Sequence, residues 1–155
     1  MNKVLIIYGP TVTGKTSLAL NLAKKLDGEL ISADSRQVYK GLDIGSGKVS
    51  FDSKIEKRNG FWIVDSVKVN GFDLVSPNQQ FTAVNFIKYA RQEIKRIQKE
   101  KKLPIIVGGT GFYLNALLTG IESIGIPKNE NLRKNLEKLS KEELFKQLRL
   151  LNPKK

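Results

Sequence analysis

Gly9-Pro10-Thr11-Val12-Thr13-Gly14-Lys15-Thr16 has the residue types and spacing of a phosphate-binding loop, or P-loop. Its glycines let backbone N–H groups converge on phosphate oxygens, and a helix starting at its end adds a partial positive charge. Lys15 can reach a terminal phosphate, and the Thr16 hydroxyl is a hard oxygen ligand suited to Mg2+. Such a loop works with a carboxylate, and two candidates close apolar runs: Asp34 after Leu30-Ile31-Ser32-Ala33, and Asp65 after Phe61-Trp62-Ile63-Val64. Asp65 is followed by Ser66-Val67-Lys68-Val69 and reads better as a surface hairpin residue. Asp34 is preferred, because it ends the strand after the P-loop helix, where open parallel sheets bind their ligands. The competing reading makes Asp34 the N-cap of a helix beginning at Ser35.

Composition removes most other chemistries. The 155 residues contain no cysteine and no histidine. Disulfide scaffolds, thiolate nucleophiles, imidazole metal sites and histidine acid–base catalysis are therefore excluded, and proton transfer falls to Asp, Glu, Lys or Tyr. Basic residues outnumber acidic ones 27 to 15, a net charge of +12 that suits a polyanion such as RNA or a phosphorylated ligand. No apolar run approaches the roughly 20 residues of a membrane span, so a cytoplasmic protein without a membrane partner is expected.

The elements that must position these residues follow from periodicity. Val4 to Tyr8 reads as a parallel strand buried on both faces. From Lys15, Leu18, Leu22 and Leu26, with Ala19 and Ala23 beside them, mark a helix that Asp27-Gly28 stops. Glu29 to Ala33 is a second strand, and the strand, loop, helix, strand order requires a right-handed crossover in a parallel sheet. Residues 41–60 read as a mobile surface segment. Phe61 to Val69 reads as a strand ending in an Asn70-Gly71 turn that leads back through Phe72 to Val75. Thr82 is an N-cap with Phe81 and Phe86 as a hydrophobic staple, and Val84, Ile87, Ala90, Ile94 and Ile97 form the buried stripe of the helix that follows. The other face, Lys88, Arg91, Lys95 and Lys99, is expected to be solvated rather than an RNA-binding stripe. Pro104 to Val107 is a third buried strand, and Gly108-Gly109-Thr110-Gly111 leads into a short apolar helix through Leu118. The fold class expected is α/β, a P-loop NTPase-like parallel sheet with flanking helices over residues 1–120. The remaining residues, 121–155, read as the start of a helical insertion.

Asp34-Ser35-Arg36-Gln37-Val38-Tyr39-Lys40, together with the P-loop before it and Gly41-Leu42-Asp43-Ile44-Gly45-Ser46-Gly47-Lys48 after it, resembles the tRNA dimethylallyltransferase family. Asp73-Leu74-Val75-Ser76-Pro77, Phe81-Thr82-Ala83-Val84 and Gly108-Gly109-Thr110-Gly111-Phe112-Tyr113 extend that resemblance over nearly the whole chain. The resemblance implies transfer of a dimethylallyl group from dimethylallyl diphosphate to N6 of the adenosine beside the anticodon of tRNA, with Mg2+ as cofactor. It implies that Gly9, Pro10, Thr11, Val12, Thr13, Gly14, Lys15 and Thr16 hold the diphosphate in what is formally a nucleotide-binding motif, with Thr16 on the metal. It further implies that Asp34 is the general base, that Asp34, Ser35, Arg36 and Gln37 contact the tRNA, and that Thr110 and Arg133 touch its substrate nucleotide. Val12 and Thr13 stand where the family usually has the smaller Ala and Ser, and the paired histidines common before the Asp73 region are absent. Family members run to about twice this length, so the chain is expected to correspond to the amino-terminal half, lacking the last strand and most tRNA-gripping helices. A monomer is expected. The competing functions are a small-molecule P-loop kinase, a non-catalytic diphosphate- or RNA-binding remnant, and, within the family reading, free AMP as the acceptor.

Overall fold

The computed structural model describes residues 3–49, 52–121 and 126–153. The chain divides into two compact units, Met1–Glu122 and Ser123–Lys155.

The first unit is built on one six-stranded sheet. In chain order its elements are β1 (Leu5–Tyr8), α1 (Lys15–Leu26), β2 (Gly28–Ser32), β3 (Ile55–Arg58), β4 (Phe61–Val64), β5 (Val67–Asn70), α2 (Ala83–Lys99), β6 (Leu103–Gly108) and α3 (Gly111–Thr119). The strand order is β1-β6-β2-β5-β4-β3, parallel from β1 through β5 and antiparallel across β5, β4 and β3. Ala19, Leu20 and Ala23 of α1 pack on one face of the sheet with Leu30, Trp62, Val69 and Ile105. The opposite face carries Ile31, Ile106, Phe86 and Ala90 of α2, and Tyr113 and Leu114 of α3. Burial on both faces is why β6 is a nearly continuous apolar run, whereas β2 also buries Glu29 and Ser32.

Helix α2 starts as its sequence dictates. Thr82 accepts from Asn85 N while Asn85 Oδ1 accepts from Thr82 N at 2.9 Å, a reciprocal capping box. Phe81 and Phe86 join the same apolar cluster, and Lys88, Arg91, Lys95 and Lys99 all face solvent.

The structure departs from several expectations. β1 is an edge strand, with Leu5, Ile6 and Ile7 only half-buried. Its run LIIY carries no polar residue to betray that position. In α1 the buried face is Ala19, Leu20 and Ala23, while Leu18 and Leu26 are about half exposed. The helix sits close on the sheet, and small residues permit that approach. Phe61 to Val69 is two strands, turning at Asp65 and Ser66 with φ of 49° and 71°. Both central residues in the left-handed region are what a two-residue hairpin requires. Asn70 instead ends β5, its amide buried and donating to Leu30 O at 3.0 Å and Glu29 Oε2 at 3.3 Å. After Gly71 the chain does not fold back as a hairpin; Val75 forms a single parallel bridge with Tyr39. Residues 41–60 are not a featureless surface either: they contain β3 and, among the described residues, the buried side chains of Ser46 and Lys48. Ser50 and Phe51 lie outside the described residues.

The second unit contains α4 (Glu130–Leu136) and α5 (Lys141–Leu151). Asn129 caps α4 through Leu132 N, and Ser140 with Glu143 forms a capping box on α5.

Candidate active site

Between β1 and α1 the chain forms the expected loop. Gly14 is the N-cap of α1 with φ of 77° and offers no side-chain cap, so the first N–H groups of the helix are left for an anion. Thr13 Oγ1 donates to Pro10 O at 2.8 Å. The Lys15 ammonium also donates to Pro10 O and lies 3.5 Å from Thr13 Oγ1, so it rests folded over its own loop. Val12 is 96% exposed with φ of 67°, a conformation that crowds a β-branched side chain.

Asp34 follows β2, at the centre of the sheet. No helix begins at Ser35; the residues from Ser35 to Val38 form turns, and Asp34 Oδ1 accepts from Arg36 N at 2.8 Å. That is an Asx-turn, which leaves the other carboxylate oxygen without a partner among the described residues. Ser35 N donates to Thr110 Oγ1 at 3.1 Å, which joins the two segments singled out in the sequence. Their approach depends on Gly108. A Cβ built there would lie 2.2 Å from Ala33 O, and the close approach is fixed by Ala33 N donating to Val107 O at 2.8 Å.

The P-loop and Asp34 line one cleft of about 470 Å3. Thr11 to Ser17 form one side, Asp34, Gln37 and Ser46 to Val49 another, and the floor is apolar, with Leu30, Val69, Phe72 and Val107. The cleft is therefore lined together by the start of an uncapped helix, by hydroxyl and carboxylate oxygens and by apolar side chains. Asp65 lines a separate cavity of about 120 Å3 with Thr16, Ser17 and Asn21, and its Oδ1 accepts from Lys54 N at 2.9 Å. It is half-buried and sits in the turn between β4 and β5, not on the surface of a hairpin that turns at Asn70-Gly71.

Of the other predicted site residues, Ser35 and Arg36 are exposed, and the Arg36 guanidinium has no partner among the described residues. The Gln37 amide is used within the chain: Oε1 accepts from Ser32 Oγ at 2.6 Å, and Nε2 donates to Ser46 O and Gly47 O at 3.0 and 2.9 Å. Arg133 lies exposed on α4 in the second unit. A larger cavity, about 560 Å3, runs along α5 in that unit and is lined by one helix alone, with no chemistry-bearing cluster.

Sequence reasoning gave no role to Lys48. Its side chain is 1% exposed and bonds Asp73 Oδ1 at 2.6 Å, Asp43 Oδ1 at 2.8 Å and Tyr39 O at 3.0 Å. Lys57 also pairs with Asp43, and Trp62 Nε1 donates to Asp73 Oδ2 at 2.8 Å. Hydrogen bonds from Lys48 and Lys57 hold the Asp43 carboxyl below the usual carboxylate range. Burial pushes the Tyr113 phenol, beneath the site, above its ordinary value. The signal for Lys48 was a lysine in a glycine-rich run five residues from Asp43; its other carboxylate partner, Asp73, lies 25 residues along the chain and cannot be read as a local pattern.

A sequence profile described as IPP transferase matches residues 37–155. The chain belongs to the IPP transferase family. Among its relatives, the tRNA dimethylallyltransferase of Anoxybacillus flavithermus is 39% identical over 97% of this chain and 45% of that protein. The tRNA dimethylallyltransferase of Lactococcus lactis is 41% identical over 98% of this chain and 49% of that protein. The full-length tRNA isopentenylpyrophosphate transferase of Bacillus halodurans superposes with a TM-score of 0.69 at 33% identity, covering 99% of this chain and 49% of that one. A eukaryotic dimethylallyltransferase acting on tRNA gives a TM-score of 0.77 at 26% identity, over 97% of this chain and 36% of that one. This IPP transferase chain thus spans about half the length of the curated relatives it matches. Among the described residues, no helix is long and apolar enough to cross a membrane.

Proposed function

We propose that this chain supplies the diphosphate site and the general base for transfer of a dimethylallyl group from dimethylallyl diphosphate to N6 of the adenosine next to the anticodon in tRNA. The observation that carries the reading is one cleft lined by both the P-loop and Asp34, in a chain of the IPP transferase family.

In the proposed reaction the adenine amino nitrogen forms a bond to the allylic carbon while the carbon–oxygen bond to the diphosphate breaks. The N6 lone pair is delocalised into the ring, so removal of its proton by Asp34 assists attack. Gly9 to Thr16 hold the departing diphosphate, and Lys15 leaves Pro10 O to neutralise it. Mg2+, when bound, supplies further charge to the leaving group. The Thr16 hydroxyl, a hard oxygen lining the cleft, suits that ion. No group of three or more acidic, His or Cys side chains forms a cage among the described residues. Mg2+ characteristically uses few protein ligands and completes its shell with phosphate and water.

Ser35, Arg36, Thr110 and Arg133 are the proposed tRNA contacts, with Gln37 acting through the loop it holds. The second unit is proposed as the start of a tRNA-binding insertion, and the protein as a cytoplasmic monomer.

The test is a chimera in which residues 1–155 replace the corresponding half of the A. flavithermus relative, incubated with radiolabelled dimethylallyl diphosphate, Mg2+ and unmodified tRNA. Label in tRNA, at adenosine beside the anticodon, is the expected result. Transfer of the γ-phosphate of ATP to a small molecule without prenylation would instead favour the kinase reading, and label in AMP alone would change the acceptor.

A further inference from the structure

Two lysines line the cleft, Lys15 and Lys48. An ammonium has three protons to donate. Those of Lys48 have acceptors within the chain at Asp73 Oδ1, Asp43 Oδ1 and Tyr39 O. Burying it without such partners would be prohibitive, and with them it has no donor left for a phosphate.

Its partners come from separate parts of the fold. Tyr39 and Asp43 belong to the turn-rich segment that follows Asp34, whereas Asp73 follows β5. That second segment is already bonded to the first through Leu74 N to Val38 O at 2.7 Å and Asp73 N to Gln37 O at 3.3 Å. Asp73 is fixed in turn by Trp62 of β4, whose ring centroid lies 5.2 Å from the Lys48 nitrogen. Gln37 then ties Ser46 O and Gly47 O to Ser32 at the end of β2.

We propose that Lys48 is a positioning residue for the diphosphate-transfer site: it fastens residues 37–48 onto the β4–β5 hairpin, so that this segment stands as the fixed wall of the cleft opposite the P-loop and holds the turn that starts at Asp34. The proposal rests on the reading of the cleft as a diphosphate site. Lys15 binds the ligand and Lys48 shapes the space around it.

Inorganic pyrophosphate with Mg2+ is the probe, used with the intact 155-residue chain and three variants: Lys48→Met, Asp43→Asn and Lys15→Ala. Amide hydrogen exchange is followed with and without pyrophosphate, and emission of Trp62, the only tryptophan, is recorded in parallel. Loss of a charged hydrogen bond that holds a segment should speed its exchange by roughly ten- to hundredfold. In Lys48→Met that acceleration is expected across residues 37–48, with a changed Trp62 emission and unchanged exchange in α1 and β6. Pyrophosphate should slow exchange of residues 37–48 in the parent chain and no longer do so in Lys48→Met, although it still protects the P-loop. A purely structural filler would not uncouple the wall from the ligand in this way. Asp43→Asn, which leaves Asp73 to balance the ammonium, should show the same pattern more weakly, and it decides the matter if Lys48→Met unfolds.

Unchanged exchange of residues 37–48 in both variants would overturn the proposal. So would loss of pyrophosphate binding in Lys48→Met as complete as in Lys15→Ala, because Lys48 would then bind the ligand directly. If the parent chain binds no pyrophosphate, the diphosphate reading of the cleft fails, while the exchange rates without ligand still report whether Lys48 fastens the wall.

Discussion

Asp34 and Thr16 share a cleft but should fail in different ways when replaced. In the chimera, Asp34→Ala is expected to lower prenyl transfer by roughly 10²–10⁴, the usual contribution of a positioned base, while Mg2+-dependent pyrophosphate binding survives. Thr16→Ala removes a hard oxygen from the helix start, so its first symptom should be weaker Mg2+-dependent pyrophosphate binding, measured by calorimetry. Near-normal turnover in Asp34→Ala would transfer suspicion to Asp65, which lines a neighbouring cavity with Thr16. Val12 offers a stability test at the same loop. Its φ of 67° costs a non-glycine residue about 1–2 kcal/mol, and glycine gives back about 0.5–1 kcal/mol in unfolded-chain entropy. Val12→Gly should therefore raise stability by up to about 1 kcal/mol, seen as a higher urea midpoint. The positions of the P-loop between β1 and α1 and of Asp34 after β2 were legible because each follows from a short local motif. Lys48 was not, because Asp73 lies 25 residues away and the pairing exists only once the sheet has formed.

Among the elements, β2, β6 and their helices were readable from apolar runs and helical spacing. The β4–β5 hairpin was not, because Asp65-Ser66 is a weaker turn signal than the Asn70-Gly71 pair beside it. Tertiary demand decided between them, since Asn70 is the residue whose amide can satisfy Leu30 O inside the sheet. The edge position of β1 was equally hidden, because an apolar strand reads the same with one neighbour or two. Gly108 shows how tightly the central strands control the site. A methyl there would meet the Ala33 carbonyl oxygen at 2.2 Å, and backbone cannot yield as a flexible side chain can. Gly108→Ala is expected to destabilise the first unit by about 1–3 kcal/mol, the range for forced overpacking. It should also displace Asp34 from the P-loop, so pyrophosphate-dependent protection near Asp34 should disappear even at temperatures where the variant stays folded. Wild-type protection in a variant of normal stability would show that β2 and β6 have slack that the structure does not suggest.

Across the whole molecule, charge bears on both the acid limit of folding and the proposed binding of RNA. Glu29 is 3% exposed on β2 and pairs with Arg96 at 2.5 Å and Lys102 at 3.2 Å. Burial raises its pKa, but hydrogen bonds from Arg96 and Asn70, with the charges of Arg96 and Lys68, outweigh it and leave the carboxyl below its ordinary value. A carboxylate with a lowered folded-state pKa adds stability that is present above the unfolded value and is lost as pH falls through the folded one. Acid titration of the parent chain should show that loss, and Glu29→Gln should be less stable near neutrality but show a shallower decline with acid. Equal declines would mean that Glu29 contributes little to the acid limit.

The charge itself is unevenly spread. Residues Ser123–Lys155 form the second unit and hold nine basic against four acidic side chains. On α5, Lys141, Lys146 and Arg149 are exposed, whereas the other basic array, Lys88 to Lys99, lies on α2 in the first unit. If the second unit begins the tRNA-binding surface, the side chains that neutralise phosphates should concentrate there. Removing one such side chain should then reduce the salt dependence of affinity by about one unit of slope. RNA binding by the intact chain is therefore expected to be measurable at low salt and to weaken steeply as salt is added. Lys141→Ala combined with Lys146→Ala should lower affinity across RNA sequences and flatten the slope, whereas Lys88→Ala with Lys95→Ala should leave both nearly unchanged. Filter binding at several salt concentrations separates the two. The reverse pattern, with the α2 pair carrying the slope, would assign the RNA-facing surface to the first unit and leave α5 as an ordinary solvated helix.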